Sequence, residues 1–199
     1  MPKITAPAGR CMRSRSTSYT SREEDNALII EGYMVVFDQP YYIDDYCEEV
    51  VARGAFDSCD CSDVRALIDH LPHLVLGRST VNTCSWSIDD YGIFVTIRIN
   101  AKDTDAMNLY ARCQRGDVDQ ASFGFWEFPD GVDYEDLPDG RVRRVIRRIK
   151  KLDEFSVCTF PAYEQTLVQA RGIASAETVR ADILRAKKEK LKRRFRHHA

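Results

Sequence analysis

Histidine is scarce in this chain: four among 199 residues, of which His197 and His198 sit at the last positions. Any imidazole base inside a folded body must therefore be His70 or His73. Long apolar runs are absent too. Nothing approaches the roughly 20 consecutive apolar residues of a membrane span, and the first residues lack the apolar segment of a secretory signal. A soluble, intracellular protein with no membrane partner is expected. Neither GxGxxG nor a phosphate loop occurs, which argues against a nucleotide, and no internal repeat points to a solenoid. The seven cysteines are odd in number and follow no framework spacing, so reduced thiols and no disulfides are predicted.

What is present suits one well-buried core and is too short for two comfortable domains. Residues 1–22 carry Arg and Ser but no acid, and residues 1–26 are expected to form a disordered polar leader. The formal net charge of −2 hides an asymmetry. From Val179 onward nine Lys/Arg face two Asp/Glu, a net of +7 that leaves −9 for the remainder. Val179, Ile183, Leu191 and Phe195 lie four or eight apart there, which predicts a basic tail helix over 173–199 with a thin apolar stripe.

Between leader and tail, "ALIIEGYMVVFD" opens the fold with β-branched and aromatic residues. "DQPYYIDDYCEEV" reads as an acidic loop around Pro40, and "VVARGAFD" turns at Gly54. "DVRALID" is a short strand or a helical turn. "NTCSWSIDD" and "GIFVTIRIN" alternate in polarity about Asp90-Tyr91-Gly92 and predict a hairpin. "DTDAMNLYARCQRG" is the one internal helix expected, capped by Asp103 or Thr104, facing inward through Met107, Tyr110 and Ala111, and stopped by Gly116. "FPDGVDYEDLPDG" reads as an acidic loop. "RVRRVIRRIKKLDEFSVCTF" fits helical spacing over part of its length, but its β-branched content favours a strand.

Ser122 stands in "DQASFGFW" among large aromatics. A small packing serine explains it as well as a nucleophile does, because a reactive hydroxyl needs a base within reach and a third group to fix that base. His70, in "LIDHLPHLVLGRS", and an acid near Glu154 supply the residue types.

The succession "GYMVVFD…EEVVARGAFD…DVRALIDHLPHLVLGRS…DDYGIFVTIRI…QRGDVDQASFGF…LDEFSVCTFPAY…VQAR" resembles, in order from Glu31 to Arg171, the prohead maturation proteases of tailed bacteriophages, of the kind found in the HK97-type capsid pathway. The resemblance implies an α+β fold, mainly an antiparallel closed β-barrel like that of herpesvirus assemblins surrounded by a few helices, over residues 27–172. It implies a serine endopeptidase that cleaves the scaffolding portion of the major capsid protein, and itself, inside the immature capsid in the host cytoplasm. It assigns His70 as catalytic histidine, Ser122 as nucleophile and Glu154 as the carboxylate that holds the imidazole. It implies no cofactor and no metal, and self-association by analogy with assemblin dimers. Where the family usually carries asparagine before the histidine this chain has Asp69, either a charge beside the imidazole or a solvent-facing acid. Oxyanion donors are not readable, Gly77-Arg78 being one candidate source.

Three other readings compete. Cys59-Asp-Cys61 with His70 and His73 has the elements of a zinc site, though with the spacing of no common finger. Cys113 or Cys158 is a thiol alternative to the serine, and small dry thiols are usually packing. A non-enzymatic capsid assembly module would dock through the basic tail, which is also the one element suited to nucleic acid.

Overall fold

The structure, a computed structural model, describes residues 10–15, 19–24 and 27–159. The predicted tail helix, and residues 160–172 of the expected protease domain, lie outside the described residues. Within them the chain is built from strands in three sheets, with one α-helix and one turn of 3-10 helix at Ser79–Val81.

The first sheet holds β1 (Arg10–Arg15), β10 (Gln120–Glu127), β13 (Ile149–Cys158), β6 (Arg65–Ile68) and β7 (Leu71–Arg78), in that order. The second runs β11 (Val132–Asp136), β12 (Val142–Ile146), β5 (Cys47–Val51), β4 (Tyr41–Asp44). The third runs β2 (Tyr19–Glu24), β3 (Ala27–Val36), β9 (Gly92–Ile99), β8 (Cys84–Ile88). All pairings are antiparallel except β5 with β12 and β6 with β13. The expected closed barrel is therefore not what forms. Each ladder ends in a strand with one described partner, β1 and β7 in the first sheet, so three open sheets pack together instead of one sheet closing on itself. Nor, among the described residues, do several helices surround them. Strands β1 and β2 fall within the stretch expected to be a polar leader, and their backbones extend two of the sheets.

Local chemistry explains most elements. In β9, Ile93, Val95 and Ile97 are fully buried while Phe94, Thr96 and Arg98 face outward, the alternation read from sequence. Its hairpin with β8 turns on Asp89, whose carboxylate accepts from the backbone N–H of Tyr91 (2.8 Å) and Gly92 (2.9 Å). Gly92 is required because β3 comes close: a Cβ there would lie 2.0 Å from the Val35 carbonyl oxygen. Helix α1 (Thr104–Arg115) starts where Asp103 accepts from the Asp105 and Ala106 N–H groups and ends at Gly116, with φ of 78°. Its inward face is Ala106, Leu109 and Tyr110; Met107 is only half-buried and Ala111 is exposed, because the stripe of 106, 109, 110 and 113 is the one that meets the core.

"DVRALID" is a strand, β6, and the ambiguous basic segment resolves into β12 and β13. Two segments expected to be acidic loops are strands as well. "YYIDDYCEEV" folds as the β4–β5 hairpin and "VDYED" as β11. Their carboxylates meet arginines: Arg141 and Arg143 reach Glu48, and Arg147 reaches Asp133 and Glu135. Neutralisation across the ladder removes the repulsion that argued against strands. The core between the first and third sheets is apolar, with Ile30, Met34, Phe125, Leu152 and Phe155 among its fully buried members.

Candidate active site

β6 and β7 are joined by two residues only, Asp69 and His70, flanked by the paired Ile68 and Leu71. Both loop residues have positive φ, 46° and 60°, the pattern of a type I′ hairpin turn. Such turns normally use Asn-Gly, since a left-handed conformation costs about 1–2 kcal/mol for an ordinary L-residue. Four hydrogen bonds offset that cost. The Asp69 N–H donates to the Val157 carbonyl (3.0 Å), the Asp69 carboxylate accepts from the Thr159 N–H (2.8 Å) and hydroxyl (3.3 Å), and the His70 N–H donates to Ser156 Oγ (3.2 Å). Asp69 is exposed, and its carboxylate is engaged by Thr159 and not by the imidazole. It latches the turn onto β13.

The latch carries the imidazole over β13, where His70 Nδ1 lies 2.7 Å from Glu154 Oε1. Both side chains are shielded, with 13% and 2% of their surface exposed. An ionised carboxylate at that distance accepts a hydrogen bond, so Nδ1 carries the proton and a neutral ring keeps its lone pair at Nε2. The other carboxylate oxygen accepts from the Ser156 hydroxyl at 2.5 Å.

Glu154 faces this way because β13 contains a bulge. Gly124 pairs with Glu154 but Phe125 with Leu152, leaving Asp153 as the extra residue. Without it, Leu152 and Glu154 would share a face. With it, Leu152 joins Phe155 in the core while Glu154 turns to the opposite face with Ser156 and Cys158. Asp153 is held by the Trp126 indole N–H at 2.7 Å and by Lys151 at 2.9 Å.

Ser122 is one strand away. It pairs directly with Ser156 across the β10–β13 ladder, and opposed residues of antiparallel strands present their side chains on the same face. Its β10 neighbours Phe123 and Phe125 go the other way, stacked at 5.0 Å within the core. Ser122, Ser156 and Glu154 therefore share one face of the sheet beside His70. Ser122 and Ser156 have no exposed surface, and on its other side Ser122 pairs with Ser14 of β1.

The thiol of Cys158 lies 3.7 Å from His70 Nε2. Burial, followed by the nearby Asp69 and Glu154 charges, pushes that thiol well above its ordinary range, so it stays protonated. His73 is exposed on β7. Cys59 and Cys61 are half-buried against the core and hydrogen-bond one another, which pushes the Cys59 thiol up. Among the described residues no three His, Cys, Asp or Glu side chains are grouped to hold a metal. The Arg78 N–H, one of the candidate oxyanion donors, is taken by the Thr83 hydroxyl at 2.9 Å.

Ser156 was missed in the sequence, Cys158 was weighed there only as a thiol alternative to the serine, and Thr159 was missed. The signal for the first two was there, since 154, 156 and 158 are alternate positions of one strand and share a face.

A family model described as caudovirus prohead serine protease matches residues 16–180. The prohead protease of Enterobacteria phage HK97 is 31% identical over 153 residues, covering 76% of this chain and 64% of that protein. The chain thus spans somewhat less than two-thirds of that relative's length. No solved structure matches. Among the described residues, no helix is long and apolar enough to cross a membrane.

Proposed function

Because this chain belongs to the caudovirus prohead serine protease family, we propose that it is a serine endopeptidase of capsid maturation, with Ser122 as nucleophile, His70 as general base and Glu154 as the carboxylate that orients the base. Its substrate is the scaffolding portion of the major capsid protein, and itself, within the prohead in the host cytoplasm. The observation that carries the reading is the 2.7 Å contact between His70 and Glu154, made on the sheet face that Ser122 shares by register.

The chemistry follows from those positions. Glu154 holds the proton on Nδ1, so Nε2 takes the Ser122 proton as Oγ bonds to the scissile carbonyl carbon. The tetrahedral intermediate collapses with cleavage of the C–N bond, and Nε2 returns the proton to the leaving amine. Water then attacks the acyl-Ser122, giving its proton to Nε2, and the C–Oγ bond breaks as Nε2 returns that proton to Ser122 Oγ and the new carboxyl end leaves. The core packing of Phe123 and Phe125 keeps the backbone at Ser122 rigid, which near-attack geometry requires. Ser122 has no exposed surface, so a peptide reaches it only when that face opens. Control of access is then a means of restraint before assembly. The basic tail tethers the enzyme to an acidic surface in the prohead by an attraction that salt weakens.

Capsid protein bearing its scaffolding segment, incubated with the wild-type chain, should be cut at defined positions, and Ser122→Ala should leave it intact. Equal cutting by both, or by neither, would contradict the proposal, the latter in favour of a non-enzymatic assembly module.

A further inference from the structure

Ser156 is fully buried, yet its hydroxyl makes two contacts that touch both partners of the proposed triad. A serine hydroxyl has one proton to give and lone pairs to receive with. The proton goes to Glu154 Oε2 at 2.5 Å, and a lone pair receives the His70 backbone N–H at 3.2 Å. Glu154 Oε1 meets the ring of the same histidine at 2.7 Å. The result is a closed hydrogen-bonded ring: Ser156 hydroxyl to Glu154 carboxylate, carboxylate to imidazole, and the histidine's own backbone back to the hydroxyl.

We propose that Ser156 is a positioning residue that locks the carboxylate and the strained histidine turn into one rigid acid–base unit. The inference rests on the triad reading. Two physical points support it. First, Glu154 is 1% exposed, so water cannot readily satisfy Oε2 in the hydroxyl's place, and a carboxylate missing one partner would rotate toward another donor, taking Oε1 away from the ring. Second, His70 has a φ of 60° in a turn with no glycine, a conformation that persists only where neighbours over-determine it. The bond to Ser156 is the one that holds the histidine's own N–H. A serine that merely filled space opposite Ser122 would need neither contact.

The test compares Ser156→Ala and Ser156→Thr with the wild type on the capsid protein. Ser156→Ala, folded, should lose about 10- to 100-fold in kcat with KM changed less than about twofold, because orientation of the base is altered and peptide contact is not. Ser156→Thr, which keeps the hydroxyl, should recover most of that loss. In proton NMR the His70 ring Nδ1–H should be a slowly exchanging downfield resonance in the wild type and should broaden or vanish in Ser156→Ala. Unchanged kcat in a folded Ser156→Ala, or an equal loss in folded Ala and Thr variants, would overturn the proposal. If Ser156→Ala does not fold, the wild type still decides: the His70 backbone amide should resist hydrogen exchange as β13 amides do, and rapid exchange there would refute the role. Ser122→Ala run alongside separates the two ideas. Activity surviving in Ser122→Ala removes the triad itself, whereas an inactive Ser122→Ala beside a fully active Ser156→Ala removes only the positioning role.

Discussion

Glu49 and Glu154 are equally buried, each 1% exposed, but they are neutralised in different ways. Glu49, on β5, faces Arg144 of its parallel neighbour β12, and Arg144, itself 3% exposed, also binds Glu127 at the end of β10. Beside it Glu48 holds Arg141 at 2.9 Å and Arg143 at 2.6 Å. A guanidinium stays charged at any ordinary pH, and this cluster acts as a staple between strands. At Glu154 an imidazole and a hydroxyl meet the two carboxylate oxygens. An imidazole can gain and lose a proton near neutrality, so in the proposed mechanism the same kind of buried charge serves a proton-handling device. The partner, and not the burial, separates a structural carboxylate from a reactive one.

That contrast can be broken by exchanging what each acid depends on. The largest expected effect is on rate. Glu154→Gln keeps the shape but cannot enforce the Nδ1–H tautomer, so kcat on capsid protein should fall by about 10⁴-fold while thermal unfolding shows the fold retained. A variant that cuts normally would put Glu154 in the staple class. Next comes a loss of stability. Arg144→Met strands Glu49 and Glu127 and should cost about 3–5 kcal/mol in denaturant unfolding, with kcat per folded molecule unchanged. A specific rate loss in that variant would show that the second sheet contributes to the chemistry after all. Smallest is Cys158→Ala. Its thiol neighbours Nε2 but is held protonated by burial, so cleavage should persist within a few-fold of wild type; abolition would transfer the nucleophile from Ser122 to Cys158.

The contrast also shows what a sequence discloses. The β8–β9 hairpin, the caps of α1 and the strand over "LDEFSVC" were legible because each follows from local composition, local spacing or a single capping side chain. The two acidic segments that became β4–β5 and β11 were not, because their charges are cancelled by arginines about 95 positions away for Glu48 and Glu49 and 12 to 14 away for Glu135 and Asp133. At the candidate site, His70 and Glu154 could be named by residue type and resemblance, and they do meet. The means of their meeting was hidden. A two-residue Asp-His turn lacks the Asn-Gly signature of its conformation, and the bulge at Asp153 follows from a register that only the paired strand sets. The closed barrel failed for a related reason. Alternating strands look alike whether their sheet closes or stays open, since closure depends on which edges find each other.

In the proposed mechanism His70 acts upon Ser122. Reaction of the purified chain with a fluorophosphonate, which phosphonylates only an activated serine hydroxyl, followed by peptide mass spectrometry, tests this most directly. The predicted result is a single adduct on the peptide containing Ser122, abolished in His70→Ala and strongly slowed in Glu154→Gln. An adduct on a different serine, or labelling of Ser122 that proceeds unchanged without His70, would contradict it.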